Sequence, residues 1–361
     1  MKSRNRRFIA SAVYLLAISG ALLGLSSCKK WYDLPEDKEY LSQKVDLKTK
    51  DFTPVLGRLN LMNGGLIADG STIPLKYEII NVRNAADSTA TDALSITRPT
   101  YVWIDDYTGE ESSLAEIEAK RKLEEHAAFE VRKSGEFFLW PSATNTVLPN
   151  YQVSPTPLKP EGYMFDVKIS NSGGEKIIKD LTLRPLRERP YEPSGRDVLT
   201  GRQVAPITPT ITSNMVGKTT RNQLKVDQSD TTKRDVRVLF KKTGEGNSLT
   251  IKVLDPSFKP IDPRKFNLTD WASLVHGFNY QSINNEAVRY DVAYPIPLTK
   301  KPTQYTTLDG SQANIRIGYS RIGFNGIRQN AYITFAFSIF EKGDWEIAFQ
   351  FRNDTPKFED E

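Results

Sequence analysis

Residues 333–351 read ITFAFSIFEKGDWEIAFQF, and this stretch decides the fold class. Ile333, Phe335, Phe337 and Ile339 alternate with smaller or polar residues, then Glu341-Lys342-Gly343-Asp344 interrupts. Trp345, Ile347, Phe349 and Phe351 alternate after it. Successive side chains of a strand point to opposite faces, so a period of two puts each apolar set on one face. A face that apolar must be covered by a second sheet. The spacing predicts a hairpin inside a β-sandwich.

The same signals recur elsewhere in the chain. Val236–Phe240 and Leu249–Leu254 flank Thr243-Gly244-Glu245-Gly246-Asn247, which reads as a second hairpin. Val288–Tyr294 and Ala313–Tyr319 read as strands, and Asn267–His276 as a short helical turn capped by Thr269. Together they define a domain over 236–352, followed by an acidic tail at 353–361. Residues 187–235 carry Pro190, Pro193, Pro206 and Pro209 among Ser, Thr, Arg and Gly with little periodicity, and read as a linker or long surface loop. An earlier domain spans 51–186. Ile73–Val82 and Tyr101–Ile104 read as strands. Phe129–Trp140, turning at Lys133-Ser134-Gly135, and Tyr163–Leu183, turning at Asn171-Ser172-Gly173-Gly174, read as hairpins. Ser113 and Glu116 form a capping-box pattern that predicts one helix near 113–127, with Glu116/Lys120 and Glu118/Lys122 spaced for ion pairs. The fold expected is all-β dominated: two immunoglobulin-like β-sandwich domains, with one short helix inserted in the first.

The amino end reads as an export signal over residues 1–27. Lys2, Arg4, Arg6 and Arg7 precede an apolar run from Phe8 to Leu25. The junction Leu25-Ser26-Ser27-Cys28 places an aliphatic residue and two small ones before the chain's one cysteine. It resembles the lipobox of bacterial lipoproteins. That resemblance implies cleavage before Cys28, diacylation of its thiol and acylation of its new amino group. Two or more acyl chains give stable anchoring, at about 0.8 kcal/mol per buried CH₂. Residues 28–50, including Lys29-Lys30-Trp31-Tyr32-Asp33, are polar and of both signs, and read as a flexible tether.

The signal holds four basic and no acidic residues, so its removal lowers the formal charge from +5 to +1. A nucleic-acid binder carries a concentrated basic face, and a mature chain this close to neutral argues against that class.

Catalytic signatures are sparse. The two histidines, His126 and His276, share no motif, and neither His-Glu-x-x-His nor Gly-x-Ser-x-Gly occurs. His126 reads as a surface residue at the end of the predicted helix. Gly217-Lys218-Thr219 echoes the end of a P-loop but lacks the earlier glycine, since position 212 is Thr212. Asp105 and Asp106, with Glu110 and Glu111, crowd one loop and form a weak calcium candidate, although a solvated loop preceding a helix explains them as well. No cofactor and no resident metal are expected, and the chain reads as non-catalytic.

Aromatic residues give the remaining lead. Trp271 and Tyr280 lie beside Asn279 and Gln281, pairing flat rings for the C–H faces of a sugar with amides for its hydroxyls. The lipobox, the Lys-Lys-Trp-Tyr-Asp start and the paired sandwiches together resemble accessory lipoproteins of Sus-like glycan-uptake systems. That resemblance implies an outer-membrane lipoprotein, held to the membrane by lipid at Cys28, that binds or presents a polysaccharide to a TonB-dependent transporter or another envelope protein. Lys29 in place of an aspartate after the cysteine fits the outer membrane. The expectation is a non-catalytic glycan-binding envelope protein. The alternatives are a structural or adhesive protein contacting another envelope protein, and a glycan hydrolase using a carboxylate pair.

Overall fold

A computed structural model describes residues 39–148, 162–226, 234–323 and 326–359. The export signal, Leu25, Ser26, Ser27, Cys28 and the first part of the tether lie outside the described residues. The fold is all-β and of sandwich type. Among the described residues no helix is long and apolar enough to cross a membrane.

The first body joins a four-stranded sheet to a three-stranded one. In the larger sheet β2 (Asp51–Phe52), β11 (Gly174–Leu183), β10 (Tyr163–Asn171) and β5 (Lys76–Asn84) lie side by side in that order. The smaller sheet orders β3 (Asn60–Asn63), β9 (Glu136–Leu139) and β8 (Phe129–Val131). Rings interdigitate between them: Phe165 of β10 lies 5.1 Å edge-on from Phe129 and 5.7 Å from Phe137, and Phe52 lies 5.2 Å from Phe137. Both hairpins read from turn chemistry are present, β8 with β9 and β10 with β11. The last part of the predicted tether is not free. Leu41, Val45 and Leu47 are buried in this core, and β1 (Asp46–Leu47) pairs with β4 (Leu66–Ile67).

The second body packs a five-stranded sheet on a second sheet. The five run β14 (Val236–Gly244), β20 (Asp344–Phe351), β15 (Ser248–Leu254), β17 (Ala287–Asp291), β16 (Phe278–Ile283). Opposite lie β18 (Ala313–Ile322) and β19 (Arg328–Ile339), extended by β12 (Tyr191–Glu192) and β13 (Thr210–Ile211). Phe335 of β19 meets Phe349 of β20 edge-on at 5.8 Å across the core.

Two hairpins expected from sequence are not formed. β19 and β20 alternate as read, yet β19 pairs with β18 while β20 pairs with β14 and β15. Their connection crosses from one sheet to the other, so the apolar faces look at each other rather than lying side by side. Nor do β14 and β15 pair, because β20 is inserted between them, antiparallel to one and parallel to the other. The reason is burial on both faces: Ile347, Phe349 and Phe351 are fully buried, and Ala348 and Gln350 on the other side nearly so. A strand covered twice belongs in the middle of a sheet.

The predicted helix at 113–127 is shorter. α1 spans Leu114–Ala119, with Ser113 Oγ accepting from the Glu116 amide as the capping pattern requires. Residues 121–127 leave the helix as β7 (Arg121–Ala127) and pair over seven positions with β6 (Thr97–Trp103). Cross-strand pairing overrides the favourable helix propensity of Lys122, Leu123 and Glu124. Asn267–His276 forms no helix; the only turn of that kind nearby is the 3-10 segment Pro263–Lys265. Thr269 instead ties to β18, its hydroxyl accepting from the Gly318 amide at 2.8 Å.

Segment 187–235 is not a free linker. Beyond its two short strands it buries Ile207, Met215 and Leu224 in the second core. As far as residue 359 the acidic tail is likewise docked: Phe358 is buried against Phe266 and Tyr319, and Glu359 pairs with Arg328 at 2.9 Å.

Candidate functional site

The aromatic pair read from sequence is brought together through Tyr290. The Tyr280 ring lies 5.8 Å from that of Tyr290, whose hydroxyl donates to the Trp271 carbonyl. Trp271 itself is committed to structure. Its indole N–H donates to the Pro263 carbonyl at 3.0 Å, and its ring stands edge-on to Phe266 at 6.3 Å. Tyr280 is 41 % exposed on β16, an edge strand whose register slips between Phe278 and Gln281. Asn279 sits at φ +53° in that slip and donates to Asp291 at 2.7 Å, while Gln281 is exposed. Asn279, Tyr280 and Gln281 are thus exposed along this edge strand, Asn279 with its amide committed to Asp291, whereas Trp271 is half-buried.

The acidic loop is built around its own cation. The Lys120 ammonium donates to Glu111 at 2.7 Å and to the Asp106 carbonyl at 2.9 Å, the place a metal would take. Glu111 also accepts from the Thr108 amide and hydroxyl and the Gly109 amide. Burial would push the Glu111 carboxyl up, but the Lys120 and Thr108 hydrogen bonds outweigh it and hold the group at about 2. Asp105 accepts from the Asp106 amide at 2.8 Å. Among the described residues no group of three or more His, Cys, Asp or Glu is placed to hold a metal ion.

Both histidines are structural in setting. His276 Nε2 lies 3.0 Å from the Glu111 carbonyl and, donating there, leaves Nδ1 to accept from the Tyr107 hydroxyl. Tyr305 lies parallel to its ring at 5.0 Å. These groups border a cavity of about 30 Å³, room for one water. Burial, then the charge on Glu111, raises the Tyr107 hydroxyl above its usual range. His126 lies on β7 rather than at a helix end. It stacks on Trp140 at 4.3 Å, with Glu130 3.1 Å from Nδ1 and Glu124 3.2 Å from Nε2.

The P-loop echo has a physical account. The amides of Thr219 and Thr220 do form a small anion cradle, and the Asp354 carboxylate fills it at 3.0 and 2.7 Å. Burial opposes ionisation of Asp354, and the Thr220 and Thr219 hydrogen bonds prevail, lowering its pKa.

One concavity was not visible in the sequence. A groove of about 720 Å³ runs between the two bodies, inside the range of roughly 300–1,000 Å³ typical of ligand sites. Its lining comes from stretches remote in sequence: Asp51, Arg58 and Leu61 of the first body, and Lys300, Gln312 and Phe340 of the second. The Asn60 side chain fixes the first stretch by accepting from the Val55 amide and donating to the Val55 and Arg58 carbonyls. That fold leaves Leu59 and Leu61 about half exposed. Across the seam the Arg58 guanidinium lies 3.7 Å over the Phe340 ring and donates to Glu192 at 2.9 Å. Burial lowers the pKa of Arg58, against the pull of Glu192. Asp51 accepts from Arg184 and from the Thr182 hydroxyl, each at 2.6 Å. One-dimensional spacing carried no signal for a site assembled this way; the one local hint was Asn60 set between Leu59 and Leu61.

Among known proteins, no curated protein and no solved structure matches the chain. A family model does match, over residues 66–360, and it takes in both bodies apart from the first strands. The chain therefore belongs to the family described as a domain of unknown function, DUF5007.

Proposed function

We propose that this is a lipid-anchored, non-catalytic envelope protein that binds glycan in the groove between its two bodies. The groove itself carries the reading: about 720 Å³ of open, mixed lining holds a short run of sugar residues. Leu59 and Leu61 offer apolar surface for C–H faces, and the Gln312 amide and Lys300 ammonium offer polar groups for hydroxyls. The non-catalytic part rests on how the groove's carboxylates are engaged. Asp51 and Glu192 are each held by a guanidinium, whereas a glycosidase needs one carboxyl poised as a proton donor. The anchor rests on Leu25-Ser26-Ser27-Cys28. The resemblance to accessory lipoproteins of Sus-like systems supports an outer-membrane place beside a TonB-dependent transporter.

One observation favours a second reading, contact with another envelope protein. Among the described residues the ribbon of β6 and β7 joins no larger sheet, and it exposes Tyr101 and Leu123, directly opposite each other, at 50 % and 58 %. The test covers both. Affinity electrophoresis against a glycan panel should retard the protein, and Leu61→Trp, which fills the groove from an exposed position, should abolish the retardation. Intact-mass measurement of the exported chain should find Cys28 acylated and residues 1–27 gone. Retained Met1 removes the anchor from the proposal. No retardation by any glycan, with in-cell crosslinking through Tyr101 recovering one defined protein, replaces the first reading by the second.

A further inference from the structure

Among the described residues of the first body, the two most exposed large apolar side chains are neighbours, and they stand where the chain enters it. Ile73 is 69 % exposed and Tyr40 59 %. The Tyr40 amide donates to the Thr72 hydroxyl at 3.0 Å, and the Thr72 amide donates back to the Tyr40 carbonyl at 2.8 Å. Asn171, at the turn between β10 and β11, donates to the Tyr40 and Thr72 carbonyls at 3.1 and 3.2 Å. The Glu39 backbone crosses that same turn. Its amide donates to the Ser172 hydroxyl, and a Cβ at Gly173 would collide with its carbonyl. Buried Leu41 and Leu75 pin the two segments to the core, so Tyr40 and Ile73 project from a fixed backbone.

From this placement we infer that this end of the first body docks on a phospholipid surface, with Tyr40 and Ile73 entering the headgroup layer. The inference rests on the Cys28 anchor proposed above and deepens it, since it names the face that the anchored protein turns to the bilayer. Residues 29–38 separate Cys28 from Glu39. At roughly 3.6 Å per residue, even full extension keeps this end within about 40 Å of the acylated cysteine. On so short a tether a contact acts at an effective concentration in the millimolar range, so two side chains too weak to bind a membrane alone suffice to hold an orientation. Tyrosine suits the place, with its ring at the acyl boundary and its hydroxyl in water. Charge does not explain the contact. Exposed Lys76 and Glu175 are both cross-strand partners of Ser170, and exposed Lys44 and Asp69 are both joined to the Ser42 hydroxyl. Two cations thus meet two carboxylates, and what remains is apolar.

The experiment uses the exported, lipidated chain reconstituted in vesicles of phosphatidylethanolamine and phosphatidylglycerol. Cys28 is the chain's one cysteine, and with its sulfur acylated, Ile73→Cys supplies a single thiol for an environment-sensitive fluorophore. The emission should shift to the blue on reconstitution and be quenched by lipid spin-labelled at the headgroup. The same label through Ile327→Cys, exposed just before β19 in the second body, should do neither. Tyr40→Ser should weaken the Ile73 quenching roughly twofold or more, because part of the apolar contact is gone. Salt at ~0.5 M, where screening shortens to a few ångströms, should leave it unchanged. An Ile73 label that stays as in water, while the protein still floats with the vesicles, overturns this inference and leaves the anchor standing. Equal shifts at Ile73 and Ile327 also overturn it. So does a shift that grows with protein density in the membrane, which assigns the face to a second copy. A chain that does not float with the vesicles, or a parent whose Cys28 takes the label, removes the anchor and this inference together.

Discussion

Replacing Phe349 by alanine should cost the second body about 3–5 kcal/mol, the range for removing a large ring from a well-packed core. Phe349 is fully buried. It stands edge-on to Phe335 at 5.8 Å and lies in register between Val238 on one side and Val253 on the other. It therefore touches the facing sheet and both neighbours in its own, and no single side-chain shift can fill the space it leaves. Denaturant unfolding followed by tryptophan fluorescence checks this, with Phe258→Ala as the control. Phe258 is 54 % exposed, and its removal should cost less than about 1 kcal/mol. A loss below about 1 kcal/mol for Phe349→Ala would mean that β20 is not central to its sheet.

Glu111→Gln should show the next largest effect, about 2–3 kcal/mol. Breaking a buried pair costs roughly 3–5 kcal/mol, and the figure is reduced here because Lys120, 18 % exposed in its side chain, can turn its ammonium to water. The glutamine also loses acceptor capacity for the Thr108 and Gly109 amides, so the loop bearing Tyr107 should loosen. The pH dependence has a defined sign. Glu111 is held at about 2 in the fold, against an ordinary 4.5. The unfolded chain therefore takes up the proton first as pH falls. The contribution is complete above about pH 4.5 and is lost progressively toward pH 2. Stability measured across that window should fall less steeply in Glu111→Gln than in the parent. Identical slopes would show that Lys120 and Glu111 are not coupled.

The elements legible in the sequence were those whose signals are local. Lys133-Ser134-Gly135 and the run from Asn171 to Gly174 fix tight turns between adjacent strands, and both hairpins stand as read. Period-two alternation gave the strands and buried faces of β19 and β20 but not their partners. Alternation specifies which side of a strand is covered and says nothing about which chain segment lies beside it. Ser113 and Glu116 located the start of α1, while its end was set by the pairing of Arg121–Ala127 with Thr97–Trp103, a tertiary fact. Segment 187–235 lacked periodicity because it attaches through pairs of residues, Tyr191–Glu192 and Thr210–Ile211, too short to show one. For the site, residue chemistry drew the reading to Trp271 and Tyr280. The groove escaped because Arg58, Lys300 and Phe340 meet only after both bodies have formed.

The insertion of β20 also sets the order in which the molecule can be completed. Strands β1 to β11 find all their sheet partners within the first body, so it can close while synthesis continues. The second cannot. β14 and β15 emerge with a gap between them, and the Asp344 carboxylate that fastens the Gly246 amide lies 98 residues further on. Until then two apolar strand edges stand open, the condition in which nascent chains aggregate. A holdase that shields those edges should raise the yield of whole protein, and a chain stalled just short of residue 344 should be its most persistent client.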